Sequence, residues 1–219
     1  MIINPKKDNG YVEYDNLCAT TLTYFFLDIL IKKTQCKMNL NKYLIYVLLA
    51  TVCDVMPIRK LNRLIAIKAL KEFDISNNHA IKELYKLHNK NNKININDLG
   101  YLIGPILNSG GRLGKSDYAT ILLSSDDHKV INQKSIELTN LNKKRMKIEA
   151  SILEGINFDK IEKEKKNIIF YYNPNINEGL IGIIAARLSE YFNRPAIVIT
   201  KSNDILKGSA RSIYNYNIG

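Results

Sequence analysis

Apolar residues recur at three- and four-residue spacing through most of this chain and switch to strand-like runs only near its end. Between Asp15 and about Lys33, the spacing of Leu17, Thr21, Tyr24, Phe25, Asp28 and Ile31 predicts a helix. A second helix is predicted over Leu40–Cys53, apolar nearly all round and therefore buried, and it ends where Pro57 forbids continuation. A third covers about Leu61–Glu72. The Asn- and Lys-rich stretch from Ser76 to Asn97 reads as a surface insertion or connector holding a short helix around Ala80–His88. A long helix is predicted over Asp127–Asn157, with the stripe Ile131, Leu138, Leu141, Ile148 and Ile152 interrupted by Arg145.

Past the charged run Glu162–Lys166 the period changes. Asn167–Tyr172 and Pro195–Thr200 read as apolar strands, and Gly179–Phe192 between them as a helix. Strand, crossover helix and strand make a βαβ unit, hence parallel pairing. In its helix, Gly182, Ala185 and Ala186 are small enough for close approach to a sheet. Met1-Ile2-Ile3 reads as the end of a strand, so the expected chain both starts and stops in mid-fold, since one βαβ pair cannot close a sheet.

Composition narrows the class. Hydrophobic residues make up 46% and charged residues 24% of 219, which excludes a disordered or fibrous chain. Thirty-two Lys and Arg against 21 Asp and Glu leave a net charge of +11, which favours polyanionic partners, although a bias toward Asn, Ile and Lys spreads that charge thinly. Cys18, Cys36 and Cys53 are odd in number and lack CxxC spacing, which points to reduced thiols in a cytoplasmic protein. The apolar windows Leu22–Ile31 and Tyr43–Cys53 fall short of the ~20 residues that a membrane span needs. No membrane partner is expected.

Four places could carry chemistry. Asp54 closes a buried apolar helix, and a carboxylate there must be paired with Arg59 or Arg63, protonated, or bound to a cation. His79, His88 and His128 stand singly and show no metal-ligand spacing. Asn108-Ser-Gly-Gly-Arg-Leu-Gly114 reads either as a turn with a solvated arginine or as an anion grip in which Arg112 holds a phosphate. Lys207-Gly-Ser-Ala-Arg-Ser212 has the same two readings, nest or plain turn. Arg145 either packs its stem along the core or presents its head to a ligand.

At these residues the chain resembles the RecJ family, the single-stranded-DNA-specific 5′→3′ exonucleases of the DHH phosphoesterase superfamily. The matching segments run in family order along almost the whole chain: Ile3–Lys6, Ala50–Pro57, Gly104–Gly114, Leu141–Arg145, Glu178–Leu188 and Gly208–Ser212. The resemblance implies an α/β protein in three parts. These are the helical C-terminal part of a DHH domain (1–125), a long linker helix (126–160) and the first βαβ unit of a DHHA1-type domain (161–219). It implies hydrolysis of single-stranded DNA in repair and recombination at a two-metal Mn2+ or Mg2+ site, with Asp54 as a metal ligand. Asn108 and Arg112 match a substrate-facing loop, and Arg145 a linker position facing DNA. Ser209, Arg211 and the adjoining Ser212 match the segment that holds a 5′ phosphate.

Departures from the family pattern carry expectations of their own. The Asp-His-His triplet belongs upstream of Ile3, and the glycine-glycine-histidine motif after Ser212. Asn177 stands for a usual histidine, Ile106 for a frequent arginine and Met146 for a usual glutamine. One carboxylate cannot assemble a two-metal centre, so the chain alone is expected to be inactive. The alternatives are a non-catalytic module that binds single strands or docks on a separate chain carrying the missing ligands, and a relative acting on short oligonucleotides or cyclic dinucleotides.

Overall fold

The computed structural model describes residues 4, 5, 7, 14–214 and 216–218, so the strand expected at Met1–Ile3 lies outside the described residues. The chain divides into two compact units, Met1–Pro105 and Ile106–Gly219.

The first unit is helical. Its centre is α2 (Leu44–Cys53), whose Ile45 and Leu48 are fully buried. A 3-10 turn, Leu40–Tyr43, leads into it and takes the first part of the helix expected from Leu40. Both α1 (Ala19–Thr34) and α3 (Lys60–Glu72) pack against α2. Buried Asn62 of α3 donates to the carbonyls of Asn16 (2.9 Å) and Pro57 (3.0 Å), which ties the turn after α2 to the segment before α1.

The expected surface insertion is instead built into this core. Helix α4 (His79–Leu87), capped by Asn78, buries Ala80, Ile81, Leu84 and Tyr85 on one face. The Asn/Lys bias of the segment conceals that stripe, because polar residues fill only the outward positions. Tyr85 donates to Asp98 at 2.7 Å and Lys90 donates to the other oxygen of the same carboxylate at 2.7 Å. Burial alone would raise the Asp98 pKa, but these bonds outweigh it and hold the carboxyl below its usual value. Asp98 closes the single turn α5 (Ile96–Asp98), and a π-helical stretch, Leu99–Ile103, follows.

The second unit starts within α6 (Gly104–Arg112), continues through α7 (Tyr118–Ser124) and then enters the long helix α8 (His128–Glu154), which Asp127 caps. Leu138 and Ile131 of its expected stripe are buried, and Ile148 and Ile152 pack on the second core. After the short helix α9 (Phe158–Lys163), β1 (Ile169–Tyr172) pairs in parallel with β2 (Ala196–Ser202), and α10 (Ile181–Phe192) crosses between them. Leu180, Ile184 and Leu188 meet Ala196 and Val198 beneath α10.

The parallel pair gains a third strand. β3 (Ile205–Arg211) runs antiparallel to β2, giving the order β1-β2-β3. The two strands are joined by Asn203-Asp204, both with positive φ (50° and 60°), the conformation of a two-residue type I′ hairpin. The segment Lys207–Ser212, read above as a nest or turn, is therefore a strand as far as Arg211. Its register with β2 puts Lys207, Ser209 and Arg211 opposite Thr200, Val198 and Ala196, on the side covered by α10.

Candidate nucleic-acid interface

Three elements of the second unit meet around the start of α10. From α6 comes Arg112, in the last turn of a regular helix rather than in a glycine-rich loop. Position 110 of that helix needs glycine, because a β-carbon there would stand 2.5 Å from the Lys115 carbonyl oxygen and 3.1 Å from Leu138. Its role is close packing rather than a backbone anion nest. Ser109 is buried and donates to Ile106 (2.6 Å) and Leu138 (3.1 Å), so it too is structural. Asn108 is exposed one turn before Arg112.

Arg112 reaches from α6 to the turn that opens α10. Its Nη1 donates to the Gly179 carbonyl at 3.0 Å. The backbones are closer still: a β-carbon on Gly179 would lie 2.3 Å from the Arg112 carbonyl oxygen. Asn177, standing where a histidine is usual in the resemblance, accepts from the Gly179 N–H at 2.9 Å and shapes the same turn. Burial first, then the positive charges of Arg145 and Arg211, hold the Arg112 guanidinium below its ordinary pKa. Three cations therefore share one neighbourhood.

Arg211 and Ser209 approach from β3. A β-carbon on Gly182 would meet Arg211 Nη2 at 3.1 Å and Ser209 Oγ at 3.2 Å, so the first turn of α10 lies directly against both groups. Helix N-termini attract anions through unpaired N–H groups and the helix dipole, and a guanidinium with a hydroxyl strengthens that attraction. Arg211 is exposed and bonds only the Ala210 carbonyl (3.0 Å) among the described residues. Lys207 is already engaged, as its ammonium pairs with Glu178 and draws that carboxyl below its usual pKa. Ser212 lies just past β3, where its carbonyl accepts from Ser189 (3.3 Å) and its hydroxyl from the Ile218 N–H (3.0 Å).

Arg145, one of the two open readings above, is mostly packed, with 13% of its side chain exposed. Its Nη1 pairs with Glu149 at 2.6 Å and its Nε donates to Asn142 at 3.1 Å. Glu149 also accepts from Arg187 of α10 at 2.9 Å. Sequence reasoning passed over Glu149 and Arg187. The four-residue step from Arg145 to Glu149 was a visible signal; Arg187 lies in the matching segment Glu178–Leu188, but nothing in the sequence pairs it with Glu149, 38 residues away.

In the first unit, Asp54 caps the C-terminus of α2 and is exposed, not buried as its place after an apolar helix suggested. The chain turns outward there, and among the described residues Asp54 forms no ion pair with Arg59 or Arg63. Val55 follows in the left-handed region (φ 54°) with 86% of its surface exposed. That conformation is strained for a β-branched residue. We expect Val55→Gly to raise the stability of the protein by about 1 kcal/mol, read as a higher urea midpoint. Among the described residues no group of three His, Cys, Asp or Glu could hold a metal ion. Asp54 alone does not fit a two-metal centre.

A helical first unit and, in the second, a long helix with a small mixed sheet under one helix make an α/β fold, and comparison with known proteins shows which family shares it. No family model matches the chain. The single-stranded-DNA-specific exonuclease RecJ of Haemophilus influenzae is 33% identical over 198 residues, which is 86% of this chain and 34% of that protein. RecJ of Thermus thermophilus in complex with Mg2+ superposes with a TM-score of 0.68 at 24% identity, over 79% of this chain and 27% of that one. Another RecJ structure, bound to manganese, gives 0.74 at 23% identity over 89% and 48%. The chain belongs to the RecJ family over the part it spans, which is 22% to 34% of the length of the curated relatives it matches. No described helix is long and apolar enough to cross a membrane.

Proposed function

We propose that this chain supplies the strand-holding part of a single-stranded-DNA-specific 5′→3′ exonuclease, a hydrolase of DNA repair and recombination, and that its second unit grips the 5′ phosphate. One observation carries the reading: Ser209 and Arg211 flank the first turn of α10 while Arg112 is bonded to the turn before it. A terminal phosphate is a compact dianion whose oxygens suit a guanidinium, a hydroxyl and helix N–H groups together. Asn108 and Arg145 extend the same basic face toward the following nucleotides, and Ser212 steadies the end of β3.

The solved relatives bind Mg2+ or manganese, and Asp54 would supply one ligand to such a site here. The other ligands come from outside the described residues, from this polypeptide or from a separate chain. Metal bound there would activate water for attack on the phosphodiester. In this reading the domains divide at about residues 125 and 160, and the protein works in the cytoplasm.

Fluorescence anisotropy with a short labelled oligonucleotide tests the grip. The 5′-phosphorylated strand should bind several-fold more tightly than its 5′-hydroxyl counterpart. Affinity should fall steeply with added salt as counterions are released. Equal, salt-insensitive affinities for the two strands would reject the reading.

A further inference from the structure

We infer that Glu149 is a positioning residue for strand binding: its buried carboxylate aims the Arg145 guanidinium and fastens the long helix α8 to α10. The inference rests on the strand-holding reading above. Glu149 is 8% exposed, and each of its two oxygens takes a different arginine, Arg145 Nη1 at 2.6 Å on its own helix and Arg187 Nε at 2.9 Å on α10. Arg187 is anchored a second time by Glu190 at 3.3 Å. Asn142 takes the Nε of Arg145, so two edges of that guanidinium are fixed, and with them the plane in which the remaining donors are presented.

Electrostatics alone argues against an acid at this place. The cluster of Arg112, Arg145 and Arg211 attracts phosphate by its positive charge, and a carboxylate among them weakens that attraction. What the carboxylate provides is order. Arginine side chains lose substantial rotamer freedom when they bind a ligand, and one already fixed loses less. Two unpaired arginines would also repel each other and push α8 and α10 apart. Because α10 carries the phosphate-facing turn, the Glu149–Arg187 bridge relates Arg145 to that turn.

The two accounts predict opposite signs for Glu149→Gln. The substitution keeps the shape and removes one negative charge, so simple electrostatics expects tighter binding. Positioning expects binding of 5′-phosphorylated single strands to weaken about five- to tenfold, with a salt dependence no steeper than in the unaltered protein. Unchanged or tighter binding would overturn the proposal. A ligand-free readout separates it from the strand-holding reading. In NMR spectra with 15N-labelled arginine, the Arg145 Nη1–H signal should be resolved and slow to exchange in the unaltered protein and lost in Glu149→Gln; a signal that persists unchanged would overturn the proposal. An unaltered protein that binds no DNA rejects the strand-holding role, and the resonance then decides the positioning by itself. Should Glu149→Gln unfold, Arg187→Gln cuts only the α10 arm and should weaken binding about threefold with helix content intact. Equal binding in that variant would likewise overturn the proposal.

Discussion

Gly179→Ala should unfold the second unit at markedly lower denaturant, losing about 3 kcal/mol. The added methyl would stand 2.3 Å from the Arg112 carbonyl oxygen and 2.9 Å from its Cα and carbonyl carbon. All three are backbone atoms inside α6, so no rotamer change relieves the overlap and the helix must shift bodily. The Arg112–Gly179 hydrogen bond would go with it. Gly111→Ala is the matched control. It lies in the same helix, and nothing stands within 4 Å of its β-carbon position. There the higher helix propensity of alanine should leave stability unchanged or raise it by up to about 1 kcal/mol. Equal urea midpoints for the two variants would show that the close approach at Gly179 does not hold.

Arg211→Ala should weaken binding of a 5′-phosphorylated single strand by about ten- to a hundredfold, the range for a charge-assisted contact. Its side chain is exposed and bonds only a neighbouring carbonyl, so the thermal midpoint should stay near that of the unaltered protein. Loss of one phosphate contact should also lower the slope of log affinity against log salt by about one. The preference for a 5′ phosphate over a 5′ hydroxyl should shrink with it. An affinity that drops equally for both strands would place Arg211 along the backbone rather than at the terminus. Lys207→Ala is the useful comparison, because Lys207 is paired with Glu178 and should contribute much less.

The two substitutions probe different kinds of information. Arg211 was legible because an arginine among small residues stands out, and its motif matches the family. Gly179 belongs to a matched motif as well, but the reason for glycine there is a contact with a segment 67 residues earlier. The same divide runs through the rest of the site. In Asn108–Gly114 the glycines suggest a turn, since local propensity weighs them as helix breakers. Packing against Lys115 and Leu138 favours the helix instead. For Asp54, the apolar run before it says nothing about the direction in which the chain leaves the helix.

By itself the sequence determined the principal helices, their order, the parallel βαβ pair and the family, because each rests on short-range periodicity or on motifs contiguous in the chain. Three things were decided only by the tertiary structure. One is the incorporation of α4 into a core, which depends on neighbours that cover Ile81 and Leu84. Another is the pairing of β3 with β2, which turns a small-residue segment into a strand and puts Lys207, Ser209 and Arg211 on the α10 side. The third is the bridge from Arg145 through Glu149 to Arg187. Each joins residues that are distant in sequence, and their energies come from burial and charge pairing that exist only once the chain has closed on itself.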